Sequence, residues 1–143
     1  TEKSYIYCDC INDPGNLGTI IRTADAAGFD GVLLSDGCVD LYSPKTVRSS
    51  MGSFFNMRVV TGVSYEKLSE YKNGALGDNT IDYRSANMKK PTIIIVGNEA
   101  NGISENVQKM CQCVKIPILG KAESLNAGVA AAILMYELVR QRS

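Results

Sequence analysis

Short apolar runs alternate along the chain with longer segments whose apolar positions recur at helical spacing. YIYCDCI, over 5–11, predicts a strand, and NDPGN then places Pro and Gly in turn positions. Leu17, Ile20, Ile21 and Ala24 share one helical face. They predict a helix over 17–27, with Asn16 as N-cap and Gly28 as its stop. GVLLS, over 31–35, is a short apolar strand of the kind covered on both faces. Ser43 before Pro44 reads as N-cap and first helical residue of a short helix running toward Ser50. NMRVV, over 56–60, predicts a strand. SYEKLSEYK, over 64–72, predicts an amphipathic helix, and GALGD, over 74–78, is weakly strand-like.

Over NTIDYRSANMKK, residues 79–90, the pattern fades to a loop or small strand. PTIIIVGNE, over 91–99, is the most apolar strand. Ser104 is placed to cap a short helix, CVKIPI over 113–118 is the last strand, and AGVAAAILMYELV closes the chain as a helix that either Ser124 or Asn126 can cap. Strands alternating with helices predict an α/β domain, a parallel, Rossmann-like sheet with helices on both faces.

At 143 residues, this is one domain with a substantial core. Fifteen basic and fifteen acidic residues cancel, so any attraction for nucleic acid has to be local. Histidine is absent, which excludes a His-based triad or a His metal site. Cys8 with Cys10, and Cys111 with Cys113, form two C-x-C pairs in or beside strands. Residues i and i+2 of a strand share a face, so the pairs read as small core filling; zinc sites use wider spacing, and no metal is expected. An odd cysteine count and the lack of a signal peptide argue against a disulfide framework, the longest apolar stretch is too short to cross a bilayer, and a cytoplasmic setting is the default expectation. A chain that starts at Thr1 is expected to be the C-terminal part of a longer protein.

In parallel α/β sheets, ligands bind beyond the carboxyl ends of the strands. Three unusual segments fall there: NDPGNLG, VGNEANGIS and IPILGKAESLN. The first has neither the dinucleotide fingerprint nor the phosphate loop. Its glycines let the chain turn and bring a helix N-terminus toward an anion or a polar group. Arg22 lies off the apolar face of that helix, where the plain alternative is a solvated arginine paired with Asp25. In the second segment, Gly97 allows close backbone approach and Glu99 stands at the rim of a pocket; the alternative is a simple strand-to-helix turn. In the third, capping explains Ser124 or Asn126 but not the small residues behind them, which suit close backbone contact.

Together, and in this order, NLGTIIRTADAAGFDGVLL, IIIVGNEANGIS and VKIPILGKAESLNAGVAAAILMYEL resemble the three motifs of the SpoU (TrmH) family, RNA 2′-O-methyltransferases of the SPOUT class. The resemblance implies S-adenosylmethionine as methyl donor, rRNA or tRNA as substrate, a C-terminal trefoil knot, and a homodimer with its active site near the subunit interface. It also implies an N-terminal RNA-binding domain outside this chain. It places catalysis on Arg22, with Asn16, Glu99, Ser124 and Asn126 as neighbouring polar residues. The cofactor would be held by Gly97, Asn98, Glu99, Ile116, Leu119, Ser124, Leu125 and Asn126, with Ala75 and Leu76 at the adenosine. Arg22, Lys45, Arg48 and Lys121 are candidate RNA contacts, and Arg48 with Ser50 and Gly52 resembles a further family segment. A knotted dimer that holds RNA or protein without catalysis is the competing reading.

Overall fold

The computed structural model describes residues 2–69 and 80–143, with the side chain of Ser69 left out. Its main sheet is four-stranded and parallel, built from β1 (Ser4–Asp9), β2 (Gly31–Leu34), β3 (Val59–Val60) and β5 (Thr92–Gly97) in the order β3-β2-β1-β5. A second parallel pair joins β4 (Ile81–Asp82) to β6 (Val114–Lys115). The helices are α1 (Pro14–Ala26), α2 (Pro44–Ser49), α3 (Tyr65–Ser69), α4 (Glu105–Gln108) and α5 (Ala127–Gln141). The predicted strand over 74–78 lies outside the described residues.

Alternation along the strands divides the core in two. Ile6 and Cys8, with Val32, Leu34, Ile94 and Val96, face a large cluster that takes in Leu17, Ile20 and Ile21 of α1 and Ala131, Leu134 and Met135 of α5. Tyr7, with Leu33, Val60, Ile93 and Ile95, faces a smaller cluster containing Val63, Leu68 and Met110. Each aliphatic side chain taken fully out of water contributes about 1.5–3 kcal/mol. Tyr7 donates its hydroxyl to the Val63 carbonyl at 2.8 Å, and burial pushes its pKa up to about 12.

Helix α1 starts three residues earlier than its apolar face predicts. Asp13, not Asn16, is the N-cap: its carboxylate accepts from Gly15 N at 2.7 Å and Asn16 N at 3.2 Å, and Pro14 fills the first helical position. Asn16 therefore sits buried in the first turn. The helix does stop at Gly28, whose φ of +74° is left-handed. Ser43 caps α2 as expected. At α4, Ser104 occupies the N-cap position but its side chain makes no capping bond.

Two predicted strands are shorter than expected. Of 56–60, only Val59 and Val60 pair, because a 3-10 turn over Ser53–Phe55 occupies the approach. Of 113–118, only Val114 and Lys115 pair; Pro117 has no N–H to give a ladder. The C-x-C pairs also differ from two-residue core filling. Cys8 is buried, but Cys10 has turned into a left-handed φ of 59° past the strand end, and Cys111 and Cys113 are half-buried in the approach to β6.

The described part of the segment for which the sequence motifs have no use, residues 80–90, holds the end of α5. Gln141 donates to Ala86 O at 2.9 Å and accepts from Met88 N at 2.8 Å. Arg142 reaches the carbonyls of Met88, Lys90, Glu2 and Lys3. These bonds fix α5 over the sheet while its small-residue N-terminal half meets α1. A Cβ on buried Gly128 would lie 3.3 Å from Asn16 Oδ1 and 3.4 Å from Thr19 Cγ2, so the helix touches α1 there with no room to spare.

Candidate active site

The loops after β1 and β5 are locked together by one carboxylate. Glu99 accepts from Asn12 N at 3.1 Å, from Asp13 N at 3.0 Å, and from the Asn16 amide at a longer 3.4 Å. Burial alone would raise its pKa, but hydrogen bonds from Asp13 N, its own N–H, Asn12 N and the Asn16 amide outweigh that and hold it below the usual carboxylate range. Asp13 thus caps the N-terminus of α1, and Glu99 holds the two residues that lead into it. The polar group meeting this helix end is the protein's own, not a phosphate.

The loop that carries Glu99 is stiff. Asn98 and Gly102 pair antiparallel through both backbone groups. The Asn98 side chain donates to Cys10 O at 2.7 Å and accepts from Ala100 N and Asn101 N. Buried Asp9, which the motif reading did not single out, accepts from Ser104 N at 2.8 Å and closes the far side. Its signal was available in CDC, a carboxylate at the end of an otherwise apolar strand. A Cβ on Gly97 would collide with the backbone of Gly102 and Ile103, which is the close approach expected of that glycine.

From the third segment, Asn126 caps α5 by accepting from Val129 N at 3.1 Å. The Asn126 and Asn16 side-chain oxygens both converge on Gly128, at 3.2 and 3.3 Å from where its Cβ would stand. Asn16, Glu99 and Asn126 are therefore gathered at the carboxyl end of the sheet. Beside them an open groove runs along β5, lined by Gly97, Asn98, Glu99, Ile116, Ser124 and Leu125. Leu119 stands outside it, 97% exposed, and Lys121 is exposed on the same loop. Ala75 and Leu76 lie outside the described residues.

Arg22 is not among the gathered residues. It lies six positions beyond Asn16, about 9 Å further along α1 and about 120° around it. It is exposed, it donates Nη1–H to the thioether of Met51 at 2.8 Å, and the alternative pairing with Asp25 does not form. Arg48 projects from the last turn of α2. Lys45 Cε lies 3.7 Å from where a Cβ on Gly15 would be, near the start of α1.

Glu99→Gln is expected to lower stability by less than about 1 kcal/mol at neutral pH, because the group is largely in water. A lowered carboxylate pKa stabilises the fold above its unfolded value of about 4.3, and that stabilisation is lost as pH falls through the folded value. Urea midpoints of the two proteins should therefore converge under acid. A gap that is constant from pH 7 to pH 3 would show that the charge of Glu99 plays no part.

A parallel sheet with polar loop residues converging beyond its carboxyl ends, beside a groove with apolar and carboxylate lining, places this groove where α/β domains bind ligands. The model of the SpoU rRNA methylase family matches residues 3–136, and the chain belongs to that family. It is 41% identical over 145 residues to the 23S rRNA (guanosine(2553)-2′-O)-methyltransferase RlmP of Bacillus subtilis, covering 96% of this chain and 58% of the relative. It is 37% identical over 150 residues to the 23S rRNA (uridine(2479)-2′-O)-methyltransferase of Streptomyces viridochromogenes, covering 96% and 52%. Among solved structures, the SpoU methyltransferase AviRb of Streptomyces viridochromogenes in complex with the cofactor AdoMet superposes with a TM-score of 0.88 at 34% identity, over 99% of this chain and 58% of that one. The AdoMet-bound rRNA methyltransferase of Sinorhizobium meliloti gives 0.87 at 35% identity, over 96% and 56%. The chain thus spans somewhat more than half the length of these relatives.

Proposed function

We propose that the protein transfers a methyl group from S-adenosylmethionine to a ribose 2′-hydroxyl of rRNA or tRNA. The observation that carries this reading is a family match over residues 3–136 whose three motif segments meet at one end of the sheet. The AdoMet-bound neighbours support the choice of cofactor. So does the groove, where Ile116 and Leu125 suit an apolar body and Glu99 and Ser124 suit polar groups. When bound, the cofactor supplies an electrophilic methyl on a positively charged sulfur.

The chain's own residues then have distinct tasks. Glu99 ties the loops after β1 and β5 into one rigid rim, Asn16 donates its amide to that rim, and Asn126 caps α5 beside it. Arg22 carries a planar, delocalised guanidinium, a group suited to electrostatic stabilisation more than to taking a proton. It can orient an RNA phosphate and stabilise negative charge growing on the attacking oxygen. Holding hydroxyl and methyl in line supplies much of the remaining rate.

Arg22 lies apart from the gathered residues, so the reading includes a homodimer in which one copy's Arg22 faces the other's groove. The half-exposed Val129 and Tyr136 of α5 support such an interface. The reading also includes a knotted path for the C-terminal segment, an N-terminal RNA-binding domain outside this chain, and work in the cytoplasm. Among the described residues, no helix is long and apolar enough to cross a membrane.

The test uses the protein at its full natural length with unmodified 23S rRNA and S-adenosylmethionine labelled in the methyl group. Label should enter ribose 2′-oxygens at a defined position, and light scattering should give the mass of two copies. Cofactor binding without any transfer to rRNA or tRNA would favour the non-catalytic module instead.

A further inference from the structure

Large apolar side chains on soluble surfaces are usually scattered singly. Here three of them occur between residues 42 and 55. Tyr42 is 71% exposed, Met51 68% and Phe55 80%. The Phe54 ring bridges the two aromatic residues edge to face, 5.6 Å from Tyr42 and 5.3 Å from Phe55 by ring centroids. Phe54 is itself packed against the main core, so the exposed rings are mounted on a fixed neighbour.

The backbone beneath them is equally constrained. Met51 and Gly52 are both left-handed, at φ of 50° and 91°. Fully buried Thr46 pairs with the Ser43 hydroxyl at 2.8 Å, and fully buried Ser50 donates to Val47 O at 2.8 Å. Three exposed cations lie on α2 and on α1, which packs beside it. Arg22 contacts Met51, while Lys45 and Arg48 are exposed on α2, between Tyr42 and Met51 in the chain. Among the described residues, none of the three is in an ion pair. Asp40, the carboxylate beside Tyr42, accepts from the Tyr42 N–H at 2.9 Å.

We propose that Tyr42 and Phe55, held by Phe54 and bordered by Arg22, Lys45 and Arg48, form a platform on which unpaired bases of the RNA substrate stack. This rests on the RNA methyltransferase reading above and adds a structural class to its substrate: single-stranded nucleotides beside the target ribose. An RNA strand satisfies both features at once, since every base has a face to lay on an aromatic ring and every phosphate needs a cation. The apolar core of a protein interface would instead strip water from Lys45 and Arg48 without pairing them. In a duplex the base faces are already stacked, so the platform selects loops and open strands.

The experiment uses the full-length protein and a short single-stranded RNA containing one 2-aminopurine, whose fluorescence falls when it stacks. Phe55→Ala should weaken binding about tenfold and abolish the fluorescence change. Phe55→Trp should retain both, and a duplex of the same sequence should bind more weakly than the single strand. S-adenosylhomocysteine affinity and the mass in solution should not move. Single-strand binding by Phe55→Ala within twofold of the parent overturns the platform, as does a loss of the dimer, which would assign the rings to the subunit interface. If the parent protein methylates RNA and Phe55→Ala does so with the same KM, only the platform fails. If the parent neither binds nor methylates RNA, the proposed function fails and the platform with it.

Discussion

Arg22→Ala is expected to lower methyl transfer by about 100-fold or more while leaving S-adenosylhomocysteine affinity unchanged. The two effects separate because Arg22 is remote from the groove along β5 and contacts the thioether of Met51. Folding should hardly change: the side chain is exposed and, among the described residues, has no carboxylate partner. A guanidinium on a thioether is a weakly satisfied cation, available to a phosphate or to a developing oxyanion. Arg22→Lys should recover only part of the rate, since lysine keeps the charge and loses the planar fork that grips a phosphate through two bonds. Single-turnover transfer to RNA, measured beside calorimetry with S-adenosylhomocysteine, checks the prediction. A rate within threefold of the parent for Arg22→Ala would remove Arg22 from the chemistry.

The separation of Arg22 from Glu99 shows where sequence reasoning loses resolution. Both fall in motif segments, and motif order assigns them to one site. Helical geometry then sets Arg22 on another side of α1 from Asn16, a relation that spacing contains but motif matching ignores. The start of α1 is a similar case. Asp-Pro-Gly reads as a turn, and a glycine near the start lowers the apparent helix propensity. Yet Asp13–Pro14 is the same cap-and-proline signature as Ser43–Pro44, which was legible at α2. The strands β1, β2 and β5 were legible because each carries a continuous apolar run that supplies side chains to the clusters on both faces of the sheet. Residues 56–58 and 116–118 were not, because strand-like composition does not reveal whether a neighbour is present to pair with. Glu99 was visible as a rim carboxylate, but its partners lie 86 and 87 residues away on the backbone, where no local pattern can point.

Gly97→Ala is expected to be the most damaging small substitution in the site, through a route different from that of Arg22. The added methyl meets the backbone of Gly102 and Ile103, and backbone cannot swing aside as a flexible side chain can. The loop also has little freedom to retreat. Asn98 and Gly102 exchange two hydrogen bonds, the Asn98 amide is anchored to Cys10 O, and Ser104 N is tied to Asp9. Overpacking at such a point costs about 1–3 kcal/mol, and displacement of the loop carries Glu99 away from Asn12 and Asp13. Stability and cofactor affinity should therefore fall together. Gly102→Ala supplies the control. Its φ of +70° makes alanine strained by about 1–2 kcal/mol, but a Cβ there meets nothing within 4 Å. The two variants should lose comparable stability in urea, while Gly97→Ala alone loses most of its S-adenosylhomocysteine binding by calorimetry. Equal loss of affinity in both would mean that general loop strain, and not the close approach at Gly97, controls the groove.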